Sequence, residues 1–261
     1  KLSAIDIAME LSKSGNSKLR DKVSMYARKH GMIEIADDSG SNIYAQLFDT
    51  SKIDNSVLNK ALDLDLKDHE KPVIFNMDYA FGEQAFETMD ELLKPIETGN
   101  KKLPMNVASV SVMGKAGILL GGKGDIMIPN AHIFEGSADN YPLTNDFNLD
   151  DFNDQGSQVF EGSMITVLGT SLSNKDILRY FLKSSWKAIG VEMEGAHYQK
   201  AIQAASMIRN NISENVKVRY AYYASDNPLE SGQTLGSGSL GISGVRHTYL
   251  IAKNILRAIL K

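Results

Sequence analysis

The sequence predicts an α/β protein, a three-layer α/β/α sandwich with helices on both faces of a largely parallel sheet. Three observations carry that prediction. From Pro72 onward, short apolar runs alternate with stretches whose apolar residues recur every three or four positions. The runs are rich in Val, Ile, Met and Tyr, the pattern of strands bounded by turns. The chain's 261 residues, 43% of them hydrophobic, are enough for one large domain with its own core, or a domain plus an extension.

Over residues 1–30, IDIAMELSKS and SKLRDKVSMYARKHG have helical spacing and are punctuated by Gly15 and Gly31. Residues 31–71 are mixed and polar, with short strands expected at MIEIA and NIYAQLF and a helix at VLNKALDLDL. From residue 72, PVIFNM reads as a strand, GEQAFETMDELLKPI as a helix and NVASVSVM as a strand ended by the glycine turn GKAGILLGGKGD. DIMIPNAHIF and VFEGSMITVLGTS are further strands, followed by the helix NKDILRYFLKSS. AIGVEME is a strand, GAHYQKAIQAASMIRNN a helix and VKVRYAYYASD a strand, and GVRHTYLIAKNILRAIL closes the chain as a helix. The expected division is an N-terminal, mainly helical extension over 1–71 and an α/β domain over 72–261.

Composition excludes several classes of function. A net charge of −4 with no basic stripe points away from nucleic acid and from membrane surfaces, and no apolar run reaches spanning length. The absence of cysteine rules out disulfides, thiolate nucleophiles and Cys-based zinc sites, and fits a reducing, cytoplasmic setting. The five histidines show no HExxH or paired spacing, so no metal site is expected. There is no GxSxG nucleophile elbow. From Asp125 to Asn174 there are eight acidic residues and no Lys or Arg. The polar stretch ADNYPLTNDFNLDDFNDQG within it reads as a solvated surface excursion, a lid, a subunit contact or a weak cation site.

Three places carry candidate chemistry. In GVEMEG, Glu192 and Glu194 are two residues apart at the end of an apolar strand, a spacing that puts both carboxylates on one face. A carboxylate there suits the paired hydroxyls of a ribose, with Met193 packing on the sugar; alternatively the pair caps the next helix or faces water. Asp226, after Ser225 at the end of another strand, is either a general acid raised toward neutrality by burial or part of an ordinary Ser-Asp-Asn-Pro turn. Gly114, Lys115 and the glycines after them form either an anion site of backbone N–H groups plus a lysine or a plain turn between strands.

Order and spacing of the three are more specific than any one of them. MGKAGILLGGKGD, VEMEG and SD, in that order over residues 72–261, resemble the nucleoside phosphorylase/nucleosidase superfamily, which includes purine nucleoside phosphorylases, methylthioadenosine nucleosidases and AMP nucleosidases. The tail SDNPLESG with its closing helix looks most like an AMP nucleosidase. The resemblance implies the nucleoside phosphorylase type of sandwich. It implies that Glu194 holds the ribose hydroxyls, that Met193 packs on the sugar and that Asp226 serves the purine N7. Gly114 and Lys115 would then line the phosphate or water site. Glu192 and Ser225 flank the two motifs as further substrate-binding candidates. FNMDYAFGEQAF offers Glu83 as a group to activate water, although its spacing better matches the family's later strand–glycine–helix unit.

The resemblance further implies an enzyme that cleaves the N-glycosidic bond of a purine nucleoside or nucleotide, with small molecules as partners and a homo-oligomeric assembly. No metal or organic cofactor is implied. No Arg occurs between Arg28 and Arg179, and Lys115 replaces a small or polar residue. Both departures favour hydrolysis over phosphorolysis, or a 5′-phosphate held by Lys115. The alternatives are a non-catalytic nucleoside-binding relative and a phosphorylase whose co-substrate phosphate is held by lysine rather than arginine.

Overall fold

The computed structural model describes residues 3–13, 16–64, 71–137, 139–152, 156–230 and 242–261. Gly15, residues 65–66 of VLNKALDLDL, residues 138 and 153–155 of the acidic stretch, and residues 231–232 of SDNPLESG lie outside the described residues. The chain forms two compact units: residues 1–79 with 240–261, and residues 80–239. Among the described residues no helix is long and apolar enough to cross a membrane.

The first unit contains α1 (Ala4–Ser12), α2 (Ser17–Lys29), β1 (Met32–Ile35), β2 (Ala45–Asp49), α3 (Asn55–Leu62), β3 (Val73–Met77) and the closing helix of the chain, Ile242–Leu260. Helix α1 starts on a reciprocal cap. Ser3 Oγ accepts from the Asp6 N–H at 3.2 Å, and Asp6 Oδ2 accepts from the Ser3 N–H at 2.9 Å. The three strands form an antiparallel sheet in the order β1-β2-β3, with Ile33, Leu47 and Phe75 in register. Leu58 and Leu62 of α3 meet Leu256 and Leu260 of the closing helix in a small apolar cluster.

The second unit contains α4 (Gln84–Leu92), the hairpin β4 (Ile96–Thr98) and β5 (Lys101–Leu103), β6 (Ser109–Ile118), β7 (Ile126–Phe134), β8 (Asn140–Pro142), β9 (Val159–Thr166), α5 (Lys175–Lys183), β10 (Ala188–Glu192), α6 (Gly195–Gln203) and β11 (Lys217–Asp226). With these, the closing helix is α7. Its sheet runs β11-β6-β10-β9-β7-β8, and β11 also pairs with β7 through Tyr222↔Met127 and Tyr223↔Ile126. Five strands thereby close into a ring. The sheet is mixed rather than largely parallel: β11/β6, β10/β9 and β7/β9 are parallel, while β6/β10, β7/β11 and β7/β8 are antiparallel. A ring needs side chains that fill its inside and its outside, so successive residues can both be apolar and buried, as Ile126, Met127 and Ile128 are in β7. Ile118, Ile126, Met127, Met164, Ile165, Val191 and Tyr222 are all buried. Leu178 and Phe181 of α5 pack with Ile165, Ala188 and Val191 on one side of the sheet. Helix α6 lies against α4 and against β7, β8 and β9.

The acidic stretch is strapped down where it is described. Asn145 Nδ2 donates to the carbonyls of Pro129 and Tyr220, both at 2.9 Å. Asp146 pairs with the buried Arg219 at 2.6 Å, and Phe147 and Phe152 are buried against each other. Asn145, Asp146, Phe147 and Phe152 thereby anchor this part of the stretch, while residues 148–151 between them are exposed. Among the described residues no group of three or more His, Asp or Glu is placed to hold a metal ion.

Candidate active site

The ends of β10 and β11 converge on one short piece of β6. Gly117 is paired with Val191 on one side and with Asp226 on the other, and Lys115 is in register with Tyr223. Glu192 and Asp226 thus sit on the two strands that flank Gly117, which lie two strand spacings or about 10 Å apart. The register slips between Ala224 and Asp226, so β11 bulges at Ser225 and redirects the aspartate.

The two glutamates of GVEMEG do different jobs. Strand β10 ends at Glu192, and Glu194 has left strand geometry with φ −133 and ψ −20 at the start of α6. The two are therefore not a pair on one strand face. Glu192 is 4% exposed, and its carboxylate is occupied by the protein itself. Oε2 accepts from the Glu194 N–H at 2.6 Å and from the Gly195 N–H, and Oε1 accepts from Thr166 Oγ1. Thr166 Oγ1 in turn accepts from the Ala196 N–H at 2.9 Å. Glu192 fastens the N-terminus of α6 to β9, where its charge also meets the positive end of the helix. Burial pushes its carboxyl up to about 7, against the pull of Thr166 and the two N–H donors. The expected substrate contact by Glu192 gives way to this capping role, because both of its oxygens are already engaged.

Glu194 is 8% exposed, and its Oε1 accepts from the Gly82 N–H at 3.3 Å. Burial raises its pKa, offset by the donors at Gly82 and Met193. Gly195 beside it has no room for a side chain: a Cβ there would stand 2.3 Å from His132 Cδ2. His132 is fully buried and lies 3.3 Å from the Tyr222 hydroxyl through Nε2; burial lowers its pKa to about 3, so it is a neutral support under α6.

Asp226 is 2% exposed. Its Oδ1 accepts from Ser225 Oγ at 2.6 Å, and its Oδ2 has no hydrogen-bond partner among the described residues. Burial raises its pKa, and the Ser225 hydroxyl and the charges of Lys115 and Lys123 pull it back. Ser225 Oγ also lies 3.3 Å from the Ala116 carbonyl, so this hydroxyl braces the aspartate. Asn227 is not a bare turn residue: its Nδ2 donates to the Gly121 carbonyl at 2.8 Å.

MGKAG is strand, not turn. Gly114 and Lys115 lie within β6, paired with Tyr222 and Tyr223, so their backbone is committed to the ladder with β11. The turn comes after them and is stapled by Asp125, which accepts from the Gly122 N–H at 2.8 Å and the Gln158 N–H at 2.9 Å. What remains of the expected anion site at Gly114 and Lys115 is the exposed Lys115 side chain and its charge near Asp226.

Met193 is 38% exposed in the turn between β10 and α6. Glu83 is exposed at the start of α4, next to Gly82, and its charge acts on His197. Sequence reasoning missed Gly82, Thr166 and Tyr198, whose hydroxyl accepts from the Ala80 N–H. Their partners are far away in the chain, so the sequence held no local signal for them.

Residues 9–261 match the model of a family described as a family of unknown function, DUF6909. No curated protein matches the sequence. The fold is similar to that of 5′-methylthioadenosine/S-adenosylhomocysteine nucleosidase from Streptococcus pneumoniae with a transition-state inhibitor, at TM-score 0.57 and 13% identity over 92% of this chain and 95% of that one. It is similar to futalosine hydrolase from Helicobacter pylori at TM-score 0.55 and 14% identity, over 92% and 94%. It is also similar to AMP nucleosidase from Bacteroides thetaiotaomicron at TM-score 0.51 and 16% identity, over 92% and 85%. The chain belongs to the DUF6909 family and has the fold of the nucleoside phosphorylase/nucleosidase superfamily.

Proposed function

We propose that the protein cleaves the N-glycosidic bond of a purine nucleoside or nucleotide by hydrolysis. The observation that carries this reading is the placement of Glu194 and Asp226: one buried carboxylate lies just past the end of β10 and the other at the end of β11, and both strands pair with Gly117 of β6. Breaking the bond builds positive charge on the sugar and negative charge on the base. Glu194 accepts the ribose hydroxyls and stabilises the sugar through its charge. Asp226, kept toward its protonated form by burial, gives a proton to the purine N7 as the base leaves. Water adds its hydroxide to C1′, and its remaining proton restores the acid.

Hydrolysis is preferred because no arginine flanks the glycine-rich stretch 114–124 in sequence, and the relatives named above are called nucleosidases and a hydrolase. Lys115 is the one feature that favours a second reading, in which phosphate is the nucleophile.

The test is a panel of purine nucleosides and 5′-nucleotides incubated with and without phosphate, with free base measured by chromatography. Base released without phosphate is the expected result. Base released only with phosphate would assign Lys115 to phosphorolysis. Binding without release from any substrate would leave a nucleoside-binding protein and sink the enzyme.

A further inference from the structure

Glu194 is useful as a ribose clamp only if its carboxylate is held still, and a glutamate has three rotatable side-chain bonds to freeze. Besides the N–H of the adjacent Met193, its side chain is anchored by the Gly82 N–H, 112 residues away in the chain. That segment needs an anchor of its own.

We propose that Tyr198 is a positioning residue for the clamp, acting through the backbone of residues 80–82. Tyr198 follows Glu194 by one turn of α6, and its N–H donates to the Glu194 carbonyl at 3.1 Å. Its side chain is buried, at 3% exposure, and its hydroxyl accepts the Ala80 N–H at 3.0 Å. Ala80 is 1% exposed, so this N–H has no water to turn to. Two residues later the Gly82 N–H reaches Glu194 Oε1. The contacts close a circuit from the Glu194 backbone, along α6, out through the Tyr198 hydroxyl, across residues 80–82 and back to the Glu194 carboxylate. Gly82 has φ +50 and no atom within 4 Å of where a Cβ would stand, so glycine is favoured there by backbone conformation and not by crowding.

A phenylalanine at 198 keeps the ring and its packing but leaves the Ala80 N–H buried and unpaired. The segment relieves that cost by shifting toward water, and the Gly82 N–H shifts with it. This role rests on the proposed function, since only a ribose gives the clamp something to grip.

The experiment compares wild type with Tyr198→Phe. The readouts are kcat/KM for a ribonucleoside that the wild type cleaves, kcat/KM for its 2′,3′-dideoxy counterpart, and affinity for the free base. Hydrogen exchange at the Gly82 amide is followed in parallel. The expected result is a loss of about tenfold on the ribonucleoside. The dideoxy substrate and the free base should be unaffected, and exchange at Gly82 should be faster. Equal losses on both substrates would mean a general structural role and would overturn the proposal. So would a variant indistinguishable from wild type on the ribonucleoside, with the enzyme reading left intact. A wild type that releases base from nothing overturns the enzyme reading and this role together.

Discussion

Strands β10 and β11 both end on a buried carboxylate, and the protein treats the two in opposite ways. Glu192 receives three donors from its own chain: two backbone N–H groups and a threonine hydroxyl. Asp226 receives one, and its second oxygen is buried with no hydrogen-bond partner among the described residues. A buried acceptor left open is costly unless something else engages it. The same residue class at the same place in the topology is thus structural in one case and available for chemistry in the other. The deciding quantity is how many donors the fold supplies.

The sharpest way to break this contrast is Asp226→Asn. Asparagine keeps the size and can still accept from Ser225, but it has no proton to give. Turnover should fall by about 10² to 10⁴ while the melting temperature stays near that of the wild type. A variant that unfolds instead would place Asp226 with Glu192 as structural.

Glu192→Ala should do the reverse. It strands two buried N–H groups and a hydroxyl, and should cost about 3 kcal/mol or more in denaturant unfolding. The milder Glu192→Gln sharpens the point through pH. The folded pKa of about 7 lies above the ordinary 4.5, so the folded state keeps its proton longer than the unfolded chain does. Between those values the unfolded state binds fewer protons, and wild-type stability falls as pH rises. The decline is at most about 1.4 kcal/mol per pH unit, and the Gln variant should lack this component. Parallel stability curves for the two proteins would remove the buried titration from Glu192.

The smallest effect is expected from Ser225→Ala. The Ser225 hydroxyl holds the Asp226 pKa down, so its loss raises that pKa further. Cleavage that needs protonated Asp226 fades as pH rises through this pKa. Its alkaline limb should therefore move to higher pH in the variant, and an unmoved limb would mean that Asp226 is not the titrating acid.

Most of the second unit was legible in the sequence because its strands contain short apolar runs and its helices carry a three-to-four-residue period. The ring was not, because the pairing of Tyr222 with Met127 joins distant parts of the chain. The continuation of β6 through MGKAGI was missed because glycines and a lysine read as a turn, whereas here they occupy a paired strand. Glu194 and Asp226 stood out as polar residues closing apolar runs. The separate task of Glu192 could not be read from spacing, which treats it and Glu194 alike. The difference arises where the backbone leaves the strand at Met193.

Ring closure also sets an order of events during synthesis. Strand β11 is the last of the five to leave the ribosome, and it both completes the ring and carries Asp226. Until it emerges, one edge of β6 and the start of β7 at Ile126 and Met127 lack their partner, which exposes the nascent chain to aggregation. The acid therefore arrives with the strand that seals the fold. No truncated product ending before residue 226 can hold the ribose-side carboxylate and the acid together, so unfinished chains are born without the proposed activity.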